Sequence, residues 1–300
     1  MNIKQFIPPI LVDAWRAMKG APQKKAAEFK IGAYPVDMPA GFALPYYQKD
    51  FKLYDRFLPI LAKHLPDAGT IIDVGANIGD TVLALVQNCK CRIVSIEPSE
   101  IFFPYLEANV NKLTDSERSR VQLVKQFAGT GKLTGTLQHR GTGTAGLSVD
   151  NNSGTVTHKP LDGLVPEKTG ITLLKADTDG FDFDVINSAP EILSSSKPIL
   201  FWENYIENEL QYEGFAEMYP LLDRQGYKYI YIFDNYGNLV TEEGDFSTLL
   251  HINSYLYSMK QYGCTRTFEY TDILAAADNH YPLVKQAIAE YKREVINKNA

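Results

Sequence analysis

The sequence predicts an α/β protein built on a doubly wound, mostly parallel sheet, and three observations carry that expectation. Beyond Thr70, short apolar runs alternate with stretches of helical periodicity. The first run ends in a glycine-containing turn, "DVGANIGDT" (73–81), where a strand hands over to a helix. The second ends at Glu97, about 20 residues on, the spacing at which an acidic residue meets the hydroxyls of a ribose in nucleotide-binding sheets.

"TIIDVGA" is apolar and β-branched, so it reads as a buried strand, and Ile78 to Gln87 carries its apolar residues on one side of a helix. "CRIVSIEP" is a second strand, followed by a helix from about Ser99 to Lys112 with Ser99 as its N-cap. "VQLVKQFAG" is a third strand. Residues 130–156, rich in Gly, Thr, Ser and Asn, break the rhythm and predict hairpins or a loop outside the core. The sheet resumes with "ITLLKADTDG", a helix from about Phe181 to Ser188, the strand "KPILFWEN", a helix from about Glu207 to Arg224 and the strand "YKYIYIFDN". "YGN" at 236–238 is a turn signal, which predicts a closing antiparallel hairpin running on through "STLLHINSYLY".

Residues 1–69 read as an N-terminal helical extension and residues 70–300 as the sheet domain. "FIPPILVDAWRAMKG" (6–20) puts Pro8 and Pro9 at a helix entrance and Gly20 at its exit. Its face of Ile10, Leu11, Ala14, Trp15 and Met18 needs cover, from the core, a sister subunit in a homo-oligomer, or a membrane surface met by the surrounding lysines and Arg16. A second helical pattern, Phe51, Tyr54, Phe57, Leu61 and Leu65, contains Pro59, which predicts a kink, and Tyr46 and Tyr47 ahead of it are candidates to border a substrate.

A formal net charge of −6 argues against nucleic acid as a partner, because phosphate binding needs a basic face. Cys89, Cys91 and Cys264 make neither a disulfide framework nor a zinc pattern and read as free thiols of a reducing cytoplasm. No stretch approaches the roughly 20 apolar residues of a membrane span, and no secretory signal is evident.

Gly75, Asn77 and Gly79 line the crevice that such a fold offers to adenosine-bearing ligands, with Glu97 and Pro98 beside the ribose. A dinucleotide presses its pyrophosphate onto the helix N-terminus through a second glycine, a place taken here by Asn77. Asp73 and Asp80 also repel a pyrophosphate, whereas they suit a ligand carrying an ammonium and a sulfonium. S-adenosylmethionine therefore fits better than NAD, although a nicotinamide-dependent oxidoreductase stays open.

Four aspartates, Asp177, Asp179, Asp182 and Asp184, follow the apolar run of the fourth strand. Asp177, at the strand end, and Asp179 in the next turn are placed to face a reaction centre and to act as base, each raising the other's pKa. Lys175 shares a face with Asp177 and is the candidate to pair with it. Asp182 and Asp184 fall in the first turns of the following helix, favoured by its dipole and by solvent, without a catalytic role. No metal is expected; the alternative is Mg²⁺ held by Asp177, Asp179 and Glu203. His251 is a candidate base from the last strand, and His139 and His158 are candidate acceptor contacts.

These motifs resemble the FkbM-type class I S-adenosylmethionine-dependent methyltransferases. The resemblance rests on "DVGANIGDT", "IEPSEIFFPYLEANV" and "KADTDGF", and runs over about residues 70–205, with "TAGLS", "KPLDGL" and "ILFWEN" in family order. It departs at Asp179, where the family has glutamate, and at "QFAGT", where the family often has an acidic residue near the adenine and this chain offers Phe127 and Ala128. The resemblance implies a Rossmann-like methyltransferase sheet of about seven strands, the last antiparallel. It also implies methyl transfer to a hydroxyl. The expected acceptor is a sugar of a cell-surface glycan or its precursor in polysaccharide biosynthesis; a catalytically inactive binding module in a biosynthetic assembly is the other alternative.

Overall fold

The computed structural model describes residues 29–133, 135–140, 144–149, 157–263 and 269–299, with the strand path alone for 135–140 and 144–149. The helix expected over 8–20, its apolar face and its membrane contact lie outside the described residues, as does Cys264.

Eight strands form the main sheet: β1 (Thr70–Val74), β2 (Arg92–Ile96), β3 (Val121–Val124), β4 (Ile171–Ala176), β5 (Ile199–Asn204), β6 (Tyr229–Asp234), β7 (Leu239–Gly244) and β8 (Thr271–Ala276). Their order is β3-β2-β1-β4-β5-β8-β6-β7. The first five are mutually parallel, β8 runs antiparallel between β5 and β6, and β7 pairs antiparallel at the edge. The expected core with an antiparallel last strand is present, and β7 adds one strand to it. The order reverses between β1 and β4, and a crevice opens at that switch point beyond the strand ends.

Alternation along the strands feeds two apolar layers. Ile71, Ile93, Leu173 and Ile199 point into one, and Ile72, Val94, Leu174 and Leu200 into the other. Helices α1 (Leu44–Asp50), α2 (Phe57–Lys63), α3 (Asp80–Val86) and α4 (Phe103–Val110) supply buried residues to the first layer. Residues 29–69 thus share a core with the sheet. Helix α2 begins at Phe57, so Pro59 falls in its first turn, where no intrahelical N–H is needed; the residues before it form a turn instead of a kinked helix. Ser99 caps a turn ahead of α4, its Oγ accepting from the Ile101 and Phe102 amides at 3.1 Å each. The second layer holds α5 (Asp182–Asn187), α6 (Glu209–Arg224) and α7 (Phe246–Gln261).

Helix α7 corrects one expectation. "STLLHINSYLY" is helical, capped by Asp245, whose carboxylate accepts from the Thr248 amide at 2.7 Å. Its buried residues, Leu249, Asn253 and Leu256, recur at helical spacing, which the strand assignment overlooked. The hairpin across 236–238 is present but closes with β7, and the last strand is "TDILAA". The segment rich in Gly and Thr contributes an antiparallel pair, Gly135–Arg140 with Thr144–Val149, outside the main sheet, as expected.

Candidate active site

The turn after β1 is held against the end of β4. Gly75 has φ +77°, and a Cβ there would lie 1.8 Å from the Asp177 carbonyl oxygen, so only glycine fits. The Gly75 and Ala76 amides donate to Ile96 O at 2.9 and 3.1 Å, and the Asp177 amide donates to Val74 O at 3.1 Å, knitting β1, β2 and β4 together at the crevice. Asn77 follows with φ +49°, a left-handed conformation that asparagine tolerates better than most residues. Glu97 accepts from the Asn77 amide through Oε2 and from the Ser99 amide through Oε1, each at 2.8 Å. Burial pushes the Glu97 carboxyl up to about 7, against the lowering effect of those two amides.

Register explains the charged centre. Lys175 on β4 stands opposite Asp73 on β1, so both side chains point to one face of the sheet, and Asp177 lies two residues further along the same face. The Lys175 ammonium is 3.1 Å from Asp73 Oδ1 and 3.3 Å from Asp177 Oδ2. Burial alone would lower its pKa, but Asp73, Asp177 and Asp80 outweigh that effect and raise it, so the ammonium stays charged. Asp73 is fully buried, whereas the Asp177 side chain keeps 49% of its surface open.

A cavity of about 1050 Å³ covers this arrangement. Gly75, Asn77, Glu97, Pro98, Phe127 and Ala128 line the part beyond β1, β2 and β3, and Lys175, Asp177, Asp179 and Glu203 line the part beyond β4. Glu203 pairs across the ladder with Asp272 on β8, which extends the acidic wall. Asp55, from the turn before α2, faces this wall, together with Tyr54 and Tyr270. Burial, followed by repulsion from Asp177, drives Glu203 and Asp272 well above the ordinary carboxyl range. The Asp55 carboxyl, on a residue still exposed at the cavity mouth, is raised as well, by its enclosure in the cavity and by repulsion from Asp80 and Asp177. Asp55 at φ +58° and Asp179 at φ +53° join Asn77 as left-handed non-glycine residues at the cavity.

Two residues expected at the donor stand elsewhere. Asp73 lies beneath the cavity floor, where Lys175 compensates its charge. Gly79 caps α3 with φ +87°, and a Cβ there would meet Leu106 Cδ1 at 2.8 Å, so its task is close packing on α4. The solvent expected around Asp182 and Asp184 is missing: Asp182 is fully buried and accepts from the Thr178 hydroxyl at 3.2 Å, and nearly buried Asp184 accepts from the Thr130 amide at 3.0 Å. His251 sits on the exposed side of α7, remote from any role as base. The His139 side chain lies outside the described residues, while His158 lines the cavity beside Phe127. Asp177, Asp179 and Glu203 do not form a metal centre: among the described residues no three His, Cys, Asp or Glu side chains are grouped to hold an ion. Tyr47 borders the cavity from α1, and Tyr46 points outward. Sequence reasoning missed Asp55 and Asp272; Asp272 was findable as a carboxylate opening an apolar strand, but Asp55 sits in a turn with no motif.

An open sheet whose strand order reverses beneath a ligand-sized chamber defines a doubly wound α/β protein with its site at the switch point. The chain belongs to the FkbM methyltransferase family: residues 73–229 match the family described as "Methyltransferase FkbM domain". A comparison with curated proteins found no match. Among solved structures, the chain is similar to the FkbM methyltransferase of Methylobacillus flagellatus KT, with 15% identity, a TM-score of 0.39, and coverage of 77% of this chain and 58% of that one. It is also similar to an O-methyltransferase of Bacillus cereus in complex with SAH, with 13% identity, a TM-score of 0.42, and coverage of 89% and 97%. A precorrin-6y C5,15-methyltransferase of Geobacter metallireducens GS-15 has 11% identity, a TM-score of 0.40, and coverage of 77% and 96%. Family membership replaces the nicotinamide-dependent alternative that the glycine turn left open. No described helix is long and apolar enough to cross a membrane.

Proposed function

We propose that this chain is a cytoplasmic O-methyltransferase that uses S-adenosylmethionine to methylate a hydroxyl of a polyhydroxylated acceptor, a sugar of a cell-surface glycan or its precursor. One observation carries the proposal: the donor turn and the ion-paired Asp177 open into the same cavity, with further room beyond them. The residues fit the donor. The turn at Gly75 and Asn77 borders the cavity, Glu97 offers the remaining lone pairs of a carboxylate to the ribose hydroxyls, and Phe127 and Ala128 offer apolar surface to a base. When bound, S-adenosylmethionine supplies an electrophilic methyl carbon on a sulfonium.

Asp177 takes the acceptor's proton, and Lys175 holds its carboxylate at the strand end. Asp179 borders the acceptor in the next turn. Glu203 and Asp272, whose raised pKa values favour their protonated forms, donate hydrogen bonds to acceptor oxygens, as the hydroxyls of Tyr54 and Tyr270 also can. Aromatic faces next to carboxyl groups suit a sugar ring. The acidic lining and the net charge of −6 disfavour a nucleic acid acceptor.

The test is calorimetric titration with S-adenosylhomocysteine, followed by incubation with S-adenosylmethionine and a panel of glycans and nucleotide-linked sugars, read by mass spectrometry for a gain of one CH₂. Binding together with such a gain supports the proposal. Binding without any methylated sugar leaves the inactive binding module as the better account, and no binding refutes the donor.

A further inference from the structure

Glu97 follows β2 and Asp177 follows β4, with β1 between them. A donor with its ribose at Glu97 and its methyl carbon toward Asp177 extends its base in the opposite direction, over the end of β3. There Phe127–Ala128 forms a short parallel ladder with His158–Lys159, in which Phe127 stands opposite His158. The two rings lie 5.5 Å apart at 34°. His158 lines the cavity, yet both of its ring nitrogens are buried without a hydrogen-bond partner among the described residues. Its neighbour Asp184 is already engaged by the Thr130 amide and hydroxyl. Gly129 leaves room for both side chains, since a Cβ there would lie 2.4 Å from Asp184 Oδ2 and 2.8 Å from His158 Nδ1.

A half-buried imidazole whose two covered nitrogens are both unsatisfied calls for a ligand. Burial lowers the His158 pKa and so favours the neutral ring, against the opposing pull of Asp184. A neutral imidazole presents one N–H donor and one bare nitrogen acceptor. The 6-amino edge of adenine presents an amino donor beside a ring-nitrogen acceptor, and one imidazole nitrogen can meet the amino group as acceptor. We propose that His158 hydrogen-bonds the amino edge of the donor's adenine and so selects that base. It takes the place of the acidic residue that "QFAGT" lacks, and it belongs to the donor rather than to the acceptor. This inference rests on the S-adenosylmethionine reading of the site.

The experiment is a binding cycle by calorimetry, using the full chain, S-adenosylhomocysteine, and its analogue with purine in place of adenine. Wild type is compared with His158→Phe, which keeps a ring beside Phe127 but removes both nitrogens, and with His158→Gln, which restores a donor and an acceptor. Wild type is expected to prefer S-adenosylhomocysteine about three- to tenfold, the range of one net hydrogen bond. His158→Phe is expected to lose that preference while holding the analogue as wild type does, and His158→Gln to regain part of it. Equal weakening of both ligands in His158→Phe, or an unchanged preference, overturns the assignment while the donor reading stands. Failure of wild type to bind S-adenosylhomocysteine at all overturns both. Should His158→Phe not fold, His158→Ala takes its place and is judged by the same outcomes.

Discussion

The carbonyl oxygen of Asp177 occupies the space beside Gly75 so closely that a Cβ on the glycine would be 1.8 Å away. That contact holds the turn after β1 against the end of β4. Gly75→Ala therefore faces both a positive φ and a backbone collision, and β1 and β4 cannot separate without breaking their ladder. Gly41 is the control, with φ +83° and nothing within 4 Å of the added atom. Gly41→Ala is expected to cost about 1 kcal/mol, the strain of the backbone alone. Gly75→Ala is expected to cost several times as much and to weaken S-adenosylhomocysteine binding, as measured by urea unfolding and calorimetry. Equal costs for the two would mean that the contact relaxes freely.

Lys175 is buried between Asp73 and Asp177, and its removal leaves Asp73 without a compensating charge. Lys175→Met is expected to destabilise the fold by about 3–5 kcal/mol. The double variant Asp73→Asn/Lys175→Met should recover part of that loss, because no buried charge is then left unpaired. Double-mutant unfolding free energies check this, and additive losses would show that the two residues do not act as a pair.

The carboxyls of Glu97 and Asp182 have folded pKa values of about 7, above ordinary values of 4.5 and 3.8, mainly through burial. The folded chain therefore holds more protons than the unfolded one between those limits. The contribution of these groups to stability is complete below about pH 4 and is lost as the pH rises through 7. Unfolding free energies measured from pH 5 to 8 without ligand should fall more steeply for wild type than for Glu97→Gln or Asp182→Asn. Parallel slopes would refute the assignment.

How far this arrangement could be read in the sequence depended on how local each signal was. The alternation of apolar runs, the turn at 73–81 and the Lys175–Asp177 spacing are encoded within a few residues, and each emerged in place. Asp55 and Asp272 reach the site from a turn and from the last strand, and only tertiary pairing brings them to Glu203. The same holds for Asn253. As a polar residue in "STLLHINSYLY" it disguised the helical period, yet it is fully buried, bonded through Oδ1 to Asn204 Nδ2 at 2.7 Å and through Nδ2 to the Tyr219 hydroxyl at 2.8 Å.

That network fixes Asn204, the residue after Glu203 at the end of β5, and it yields a further expectation. Asn253→Leu removes an acceptor from the Asn204 amide and a donor from the Tyr219 hydroxyl inside an apolar layer, where Thr271 Oγ1 and the Tyr219–Asn204 bond remain, at a cost of about 1–3 kcal/mol. Tyr219→Phe removes one hydroxyl and should cost less. Thermal unfolding orders the two, and a reversed order would show that Asn253 is not the centre of the network.

Asp177→Asn separates chemistry from binding. The amide keeps the size of the side chain but cannot take a proton, and it meets Lys175 without charge. Turnover should fall about 10²- to 10⁴-fold, the usual contribution of a positioned base. The S-adenosylhomocysteine dissociation constant should move little, because Glu97 and the amides around Gly75 are untouched. Glu203→Gln preserves a hydrogen-bond donor where the raised pKa already favours one, so its effect should fall on KM for the acceptor more than on kcat. If instead Glu203→Gln abolished turnover and Asp177→Asn spared it, the base would be Glu203, and the acceptor hydroxyl would have to lie over β5 rather than β4.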